Sequence, residues 1–181
     1  FCNSGTEAVM TAIKFARAVS GKEKVVIFKN AYHGHYDGVL GIPSGNDSKC
    51  LPMAPGISSA SVTDLVIFNY GDETTLEYLG KNQASIAAVI IEPVQSRNPD
   101  LQPFKFLQQL RGRASSLDIP FILDETITGF RTANGGINSI LSLNADIIVF
   151  GKMIGGGLPI GIVCGKSRFI DSVDGGASLI N

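Results

Sequence analysis

The chain has 181 residues, 44% of them hydrophobic and 17% charged, with a formal net charge of −1. That is enough apolar material for one sizeable α/β core, and a charge so near zero gives no electrostatic case for nucleic acid or an anionic membrane surface. No run reaches the roughly 20 apolar residues of a membrane span, the first residues show no signal-peptide pattern, and three widely spaced cysteines, Cys2, Cys50 and Cys164, fit buried thiols in a reducing, cytoplasmic compartment.

Asn3-Ser4-Gly5-Thr6-Glu7-Ala8 is a small-residue turn that opens a helix, with Ala8, Ala12, Phe15 and Val19 on one apolar face. Free N–H groups at such a start suit an anion, while the same residues also make an ordinary Ser/Thr cap with Glu7 in the first turn. Val25 to Phe28 is a strand, followed by Tyr32-His33-Gly34-His35-Tyr36. The two histidines lack a cysteine or carboxylate set at metal-ligand spacing. Leu40 to Thr63, interrupted by Pro43, Pro52 and Pro55, reads as an irregular loop on the rim of a site. Leu65 to Phe68 is a strand and Asp72 to Leu79 a short helix. Ala87 to Ile91 is another strand, ending at Glu92-Pro93.

Pro103 suits a first helical position, before a helix whose face is Phe104, Leu107, Leu110, Ala114 and Leu117. Ile119 to Leu123 is an apolar strand ending in Asp124-Glu125. Ile147 to Phe150 is another, delivering Lys152 into a glycine-rich stretch through a sharp turn at Gly151. Ile160 to Cys164 returns as a strand, with Phe169, Ile170 and Val173 on a short helix after it. This alternation predicts an α/β domain, a mostly parallel sheet with helices on both faces.

Two buried strands thus end in a carboxylate and a lysine, where open α/β sheets put their chemistry. A cofactor that needs both is pyridoxal phosphate, whose aldehyde condenses with a lysine amine while a carboxylate holds its ring nitrogen protonated. Read alone, Lys152 is equally a solvated loop lysine. Leu123-Asp124-Glu125-x-x-Thr128-Gly129-Phe130-Arg131, followed by Gly151-Lys152-x-Ile154-Gly155-Gly156-Gly157-x-Pro159, resembles the class III aminotransferases.

The resemblance covers essentially the whole chain and implies the large domain of the fold-type-I, pyridoxal-phosphate-dependent transferases. It implies Lys152 as the lysine joined to the cofactor and mover of the substrate's α-proton, and Asp124 as partner of the ring nitrogen. Ser4, Gly5 and Thr6 fall in the phosphate-binding turn, Tyr32 where an aromatic stacks on the ring with His33 as its neighbour, and Glu92 beside the cofactor. Family members are longer homodimers. Residues 1–181 are therefore expected to be the central part of the large domain, inactive alone, with an amino-terminal segment and a carboxy-terminal small domain missing and the partner's phosphate-contacting threonine just beyond Asn181.

Ile127 stands where several members carry a glutamine, and members resembling glutamate-1-semialdehyde aminomutase are also apolar there. Arg97 stands where that branch has an asparagine. The run from Glu92 to Pro103, with Gln95-Ser96-Arg97 and Asp100-Leu101-Gln102-Pro103, resembles more narrowly the aminotransferase domains of mixed polyketide and nonribosomal peptide synthases. That implies an amino donor and, as acceptor, a β-keto acyl chain on a phosphopantetheine-bearing carrier protein. A free-standing glutamate-1-semialdehyde 2,1-aminomutase is the alternative. Two readings from other classes are weaker. A catalytically inactive scaffold would lose the lysine or aspartate, and a nucleotide-binding module needs a hydroxyl residue after Lys152 or Gly-x-Gly-x-x-Gly spacing.

Overall fold

The computed structural model describes residues 1–45 and 50–171. Helix α1, Gly5–Ser20, starts where the Ser4 hydroxyl accepts the Glu7 N–H at 3.2 Å and stops at Gly21, whose left-handed φ of 66° lets its N–H reach the Arg17 carbonyl. It buries Ala8, Val9, Ala12, Ile13, Phe15 and Ala16. In chain order there follow β1 (Lys24–Phe28), β2 (Gly41–Pro43), β3 (Cys50–Pro52), β4 (Leu65–Phe68), α2 (Thr74–Asn82), β5 (Ile86–Ile91), α3 (Phe104–Ser116), β6 (Phe121–Asp124), α4 (Gly136–Ile140), β7 (Ile147–Phe150), β8 (Ile162–Gly165) and α5 (Ser167–Ile170).

The main sheet runs β4-β1-β5-β6-β7-β8, parallel throughout except that β8 lies antiparallel to β7. Helices cover both faces, α1 and α5 in one apolar cluster and α2 and α3 in the other. Every residue of β5 is buried, as a central parallel strand requires. Leu107 and Leu110 of α3 are fully buried, and each contributes about 1.5–3 kcal/mol by leaving water. After β1 the chain goes to β4 on one side and then to β5 on the other. The order reverses between β1 and β5, and the loops leaving their carboxyl ends border a crevice. Among the described residues no helix is long and apolar enough to cross a membrane.

The structure corrects several expectations. Leu40 to Thr63 is not wholly irregular, because it holds the β2–β3 hairpin and a 3-10 turn at Ser59–Val62. Pro43 and Pro52 are accommodated at strand ends of a two-stranded ribbon, where a missing N–H interrupts no central ladder. Pro103 precedes α3 with a non-helical ψ of 63°, so the helix opens at Phe104. β8 begins two residues later than Ile160 because Gly161 is occupied by an isolated bridge to Cys2. Helix α4 has no apolar period in the sequence long enough to announce it. Val173 and Asn181 lie outside the described residues.

Candidate active site

A cavity of about 250 Å³ opens at the carboxyl ends of the parallel strands. Gly5, Thr6, Tyr32, His33, Glu92, Asp124 and Lys152, separated by up to 147 positions in sequence, all line it. Ser4 does not line it, and its hydroxyl caps α1.

Asp124 ends β6 and is 3% exposed. Its Oδ2 lies 2.8 Å from His33 Nδ1, and its Oδ1 accepts the Thr126 N–H at 3.1 Å. Those contacts fix the carboxylate, and the buried His33 Nε2 is left with no partner among the described residues. A buried ring nitrogen with no partner is costly and marks a place where polar capacity is held open.

Glu92, 3% exposed at the end of β5, braces two loops. Its Oε2 accepts the Tyr32 N–H at 3.0 Å and its Oε1 the Ser96 N–H at 3.1 Å, and the Gln95 amide donates to the Lys29 carbonyl at 2.9 Å. The Tyr70 hydroxyl closes the brace on the carbonyls of Glu92 and Pro93, and burial together with the Glu92 charge pushes that phenol well above its usual range. The first turn of α1 meets the loop after β1 just as tightly. The Thr6 hydroxyl accepts the His35 N–H at 3.1 Å, and Gly34, at φ 92°, has no room for a Cβ, which would fall 2.6 Å from Thr6 Oγ1.

Lys152 follows β7 and has a left-handed φ of 46°, a conformation costing an L-residue roughly 1–2 kcal/mol. The sharp turn expected at Gly151 therefore sits on the lysine itself, and Gly151 is extended. Glycine lets the segments pack closely there, since a Cβ would lie 3.1 Å from Thr126 Cγ2, a contact that the methyl group would have to relieve by a small shift. Lys152 is exposed and has no ion-pair partner among the described residues.

Behind the cavity, the fully buried Glu125 accepts from the Thr128 hydroxyl and, at 2.7 Å, from the Asn138 N–H. Burial outweighs these contacts and raises its carboxyl above the ordinary carboxylate value. Ile127 lines the cavity, whereas Arg97 stands outside it with its guanidinium 5.2 Å from the Tyr32 ring centroid. Sequence reasoning missed Thr126, Ser96 and Tyr70. Each was legible only as a polar residue within a few positions of a strand's carboxyl end.

A family model for class-III aminotransferases matches residues 1–177, and the chain belongs to that family. Similar curated proteins are named glutamate-1-semialdehyde 2,1-aminomutase. That of Acetivibrio thermocellus is 40% identical over 175 residues, covering 94% of this chain and 41% of that protein, and that of Methylacidiphilum infernorum is 42% identical over 176 residues, covering 96% and 41%. Among solved structures, an omega-transaminase from Sphaerobacter thermophilus superposes with a TM-score of 0.86 at 34% identity, over 97% of this chain and 42% of that one. A transaminase with PLP bound gives 0.82 at 34% identity, over 93% and 40%. The chain thus spans about two fifths of the length of the relatives it matches.

Proposed function

We propose that the intact protein transfers amino groups using pyridoxal phosphate held in this cavity, with Lys152 as the residue that carries it. The observation behind this reading is the convergence on one cavity of a lysine in left-handed backbone, without an ion-pair partner among the described residues, and a buried, braced carboxylate. The residues fit the group. N–H groups of the first turn of α1, at Gly5 and Thr6, would hold its phosphate, Tyr32 offers an aromatic wall, and Asp124 supplies the anion for a protonated ring nitrogen.

When bound, the cofactor supplies an electron sink for charge developing at the substrate's α-carbon. The chain's own residues do the rest. Lys152 takes a proton from that carbon and returns one, as a general base and then an acid. His33 and Thr126 hold Asp124 in one orientation, and Glu92 sets Tyr32 and Ser96 against the cavity.

For the acceptor we assign a β-keto acyl chain tethered to a carrier protein in polyketide or nonribosomal peptide assembly, on the likeness of the Glu92 to Pro103 run to such domains. Isomerisation of glutamate-1-semialdehyde is the second reading, favoured by the names of the curated relatives. We also place the protein in the cytoplasm, supported by three cysteines free of disulfides, and as a homodimer, supported by the exposure of Phe130 and Leu158. Mass spectrometry of a carrier-bound β-keto chain, incubated with the intact protein and an amino donor, tests the assignment. Conversion of the keto group to an amine is expected. An unchanged chain alongside rapid isomerisation of glutamate-1-semialdehyde would transfer the assignment to the second reading.

A further inference from the structure

A second cavity, of about 380 Å³, lies against the loop after β1. Its walls are mainly apolar, with Val39, Ile42, Pro43, Met53 and Ile67, and the charged residues lining it are Lys29 and Arg97. No carboxylate residue lines it among the described residues.

Arg97 links this cavity to the first. It lines the second while its guanidinium stacks over Tyr32, which lines the first. Its base is fixed, because the N–H of the preceding Ser96 is held by Glu92. Its charge is not spent, since Arg97 has no carboxylate partner among the described residues. A planar cation oriented by an aromatic face, set at the edge of an apolar hollow and without an anion, is suited to receive one from a ligand.

We propose that Arg97 is the anion receptor for the acceptor substrate and that the second cavity houses the apolar chain of that substrate. The reacting carbonyl then enters the first cavity while a phosphate or carboxylate farther along docks on Arg97. This rests on the reading of the first cavity as the site of amino transfer. On a tethered acceptor the anion is the phosphate of a phosphopantetheine arm, and on a diffusible one it is a carboxylate.

The test is calorimetric titration of the intact protein with three β-keto compounds sharing one acyl chain: a phosphopantetheine thioester, an N-acetylcysteamine thioester lacking the phosphate, and an analogue ending in a carboxylate. At least one anionic compound is expected to bind about 10-fold or more tighter than the neutral thioester, as a charge-assisted contact provides. Arg97→Gln should remove that preference without changing the Kd of the neutral compound, and Arg97→Lys should keep part of it. The anion with the larger preference identifies its source. Equal affinities in the unmodified protein, or equal weakening of all three by Arg97→Gln, would overturn the proposal. Charge-dependent binding with no keto group converted to an amine and no isomerisation of glutamate-1-semialdehyde would leave Arg97 assigned and remove the amino-transfer reading instead.

Discussion

At the amino ends of β6 and β7 the carboxylate of Asp146 has its bonding capacity filled. Arg111 forks onto both its oxygens at 3.0 and 3.2 Å, Lys166 Nζ lies at 2.7 Å and the Phe121 N–H at 3.0 Å. Arg111 is completed in turn by the carbonyls of Leu143 and Asn144. At the carboxyl ends of the same strands, among the described residues, Asp124 has a single side-chain partner, His33, whose other nitrogen is buried and unpaired, and Lys152 has no ion-pair partner. Both ends bring acids and bases together on adjacent strands. The difference is saturation: a filled network specifies packing, while an unfilled one leaves capacity for a ligand.

The largest expected effect is at the unfilled end. Lys152→Ala should lower amino transfer about 10⁴-fold, since covalent attachment and proton transfer both go, while stability stays within about 0.5 kcal/mol. Single-turnover rates and thermal unfolding measure the two halves, and a large loss of stability would break the contrast. Asp146→Ala should do the opposite. It strands the buried Arg111 guanidinium and should cost about 3–5 kcal/mol in urea unfolding, with activity per folded molecule preserved.

Asp124→Asn keeps the shape of the unfilled end and removes its charge. A fall in kcat of about 10²–10³-fold is expected with the fold unchanged, and a near-normal rate would remove Asp124 from the chemistry.

The smallest effect sharpens the boundary between the two ends. Burial raises the Glu125 carboxyl above its ordinary value of 4.5 in the folded state. Its contribution is therefore fully present below the unfolded value and is lost as pH rises through the raised one. Urea midpoints measured upward from about pH 4.5 should decline more steeply for the unmodified protein than for Glu125→Gln, which has no charge to bury. Parallel curves would show that this shift does not contribute.

Much of this was legible in the sequence. The parallel strands announced themselves as short apolar runs, and the acid and lysine at two strand ends pointed to the cavity that Asp124 and Lys152 line. What could not be read is pairing across the chain. Nothing in the sequence of Glu92 says that its two oxygens hold the Tyr32 and Ser96 N–H groups, or that the turn expected at Gly151 is taken by Lys152. Ser4 shows the converse, since its local capping preference holds even beside the cavity. The β2–β3 hairpin was hidden because its prolines, read locally, argue against strands, and only the two-stranded pairing shows that they fall at the ends.

The most direct test of the central claim is chemical. Reduction of the intact, cofactor-loaded protein with borohydride, followed by peptide mapping, should place the pyridoxyl mass on the peptide containing Lys152 and nowhere else. The same mass on Lys29 or Lys166, with Lys152 unmodified, would contradict the account.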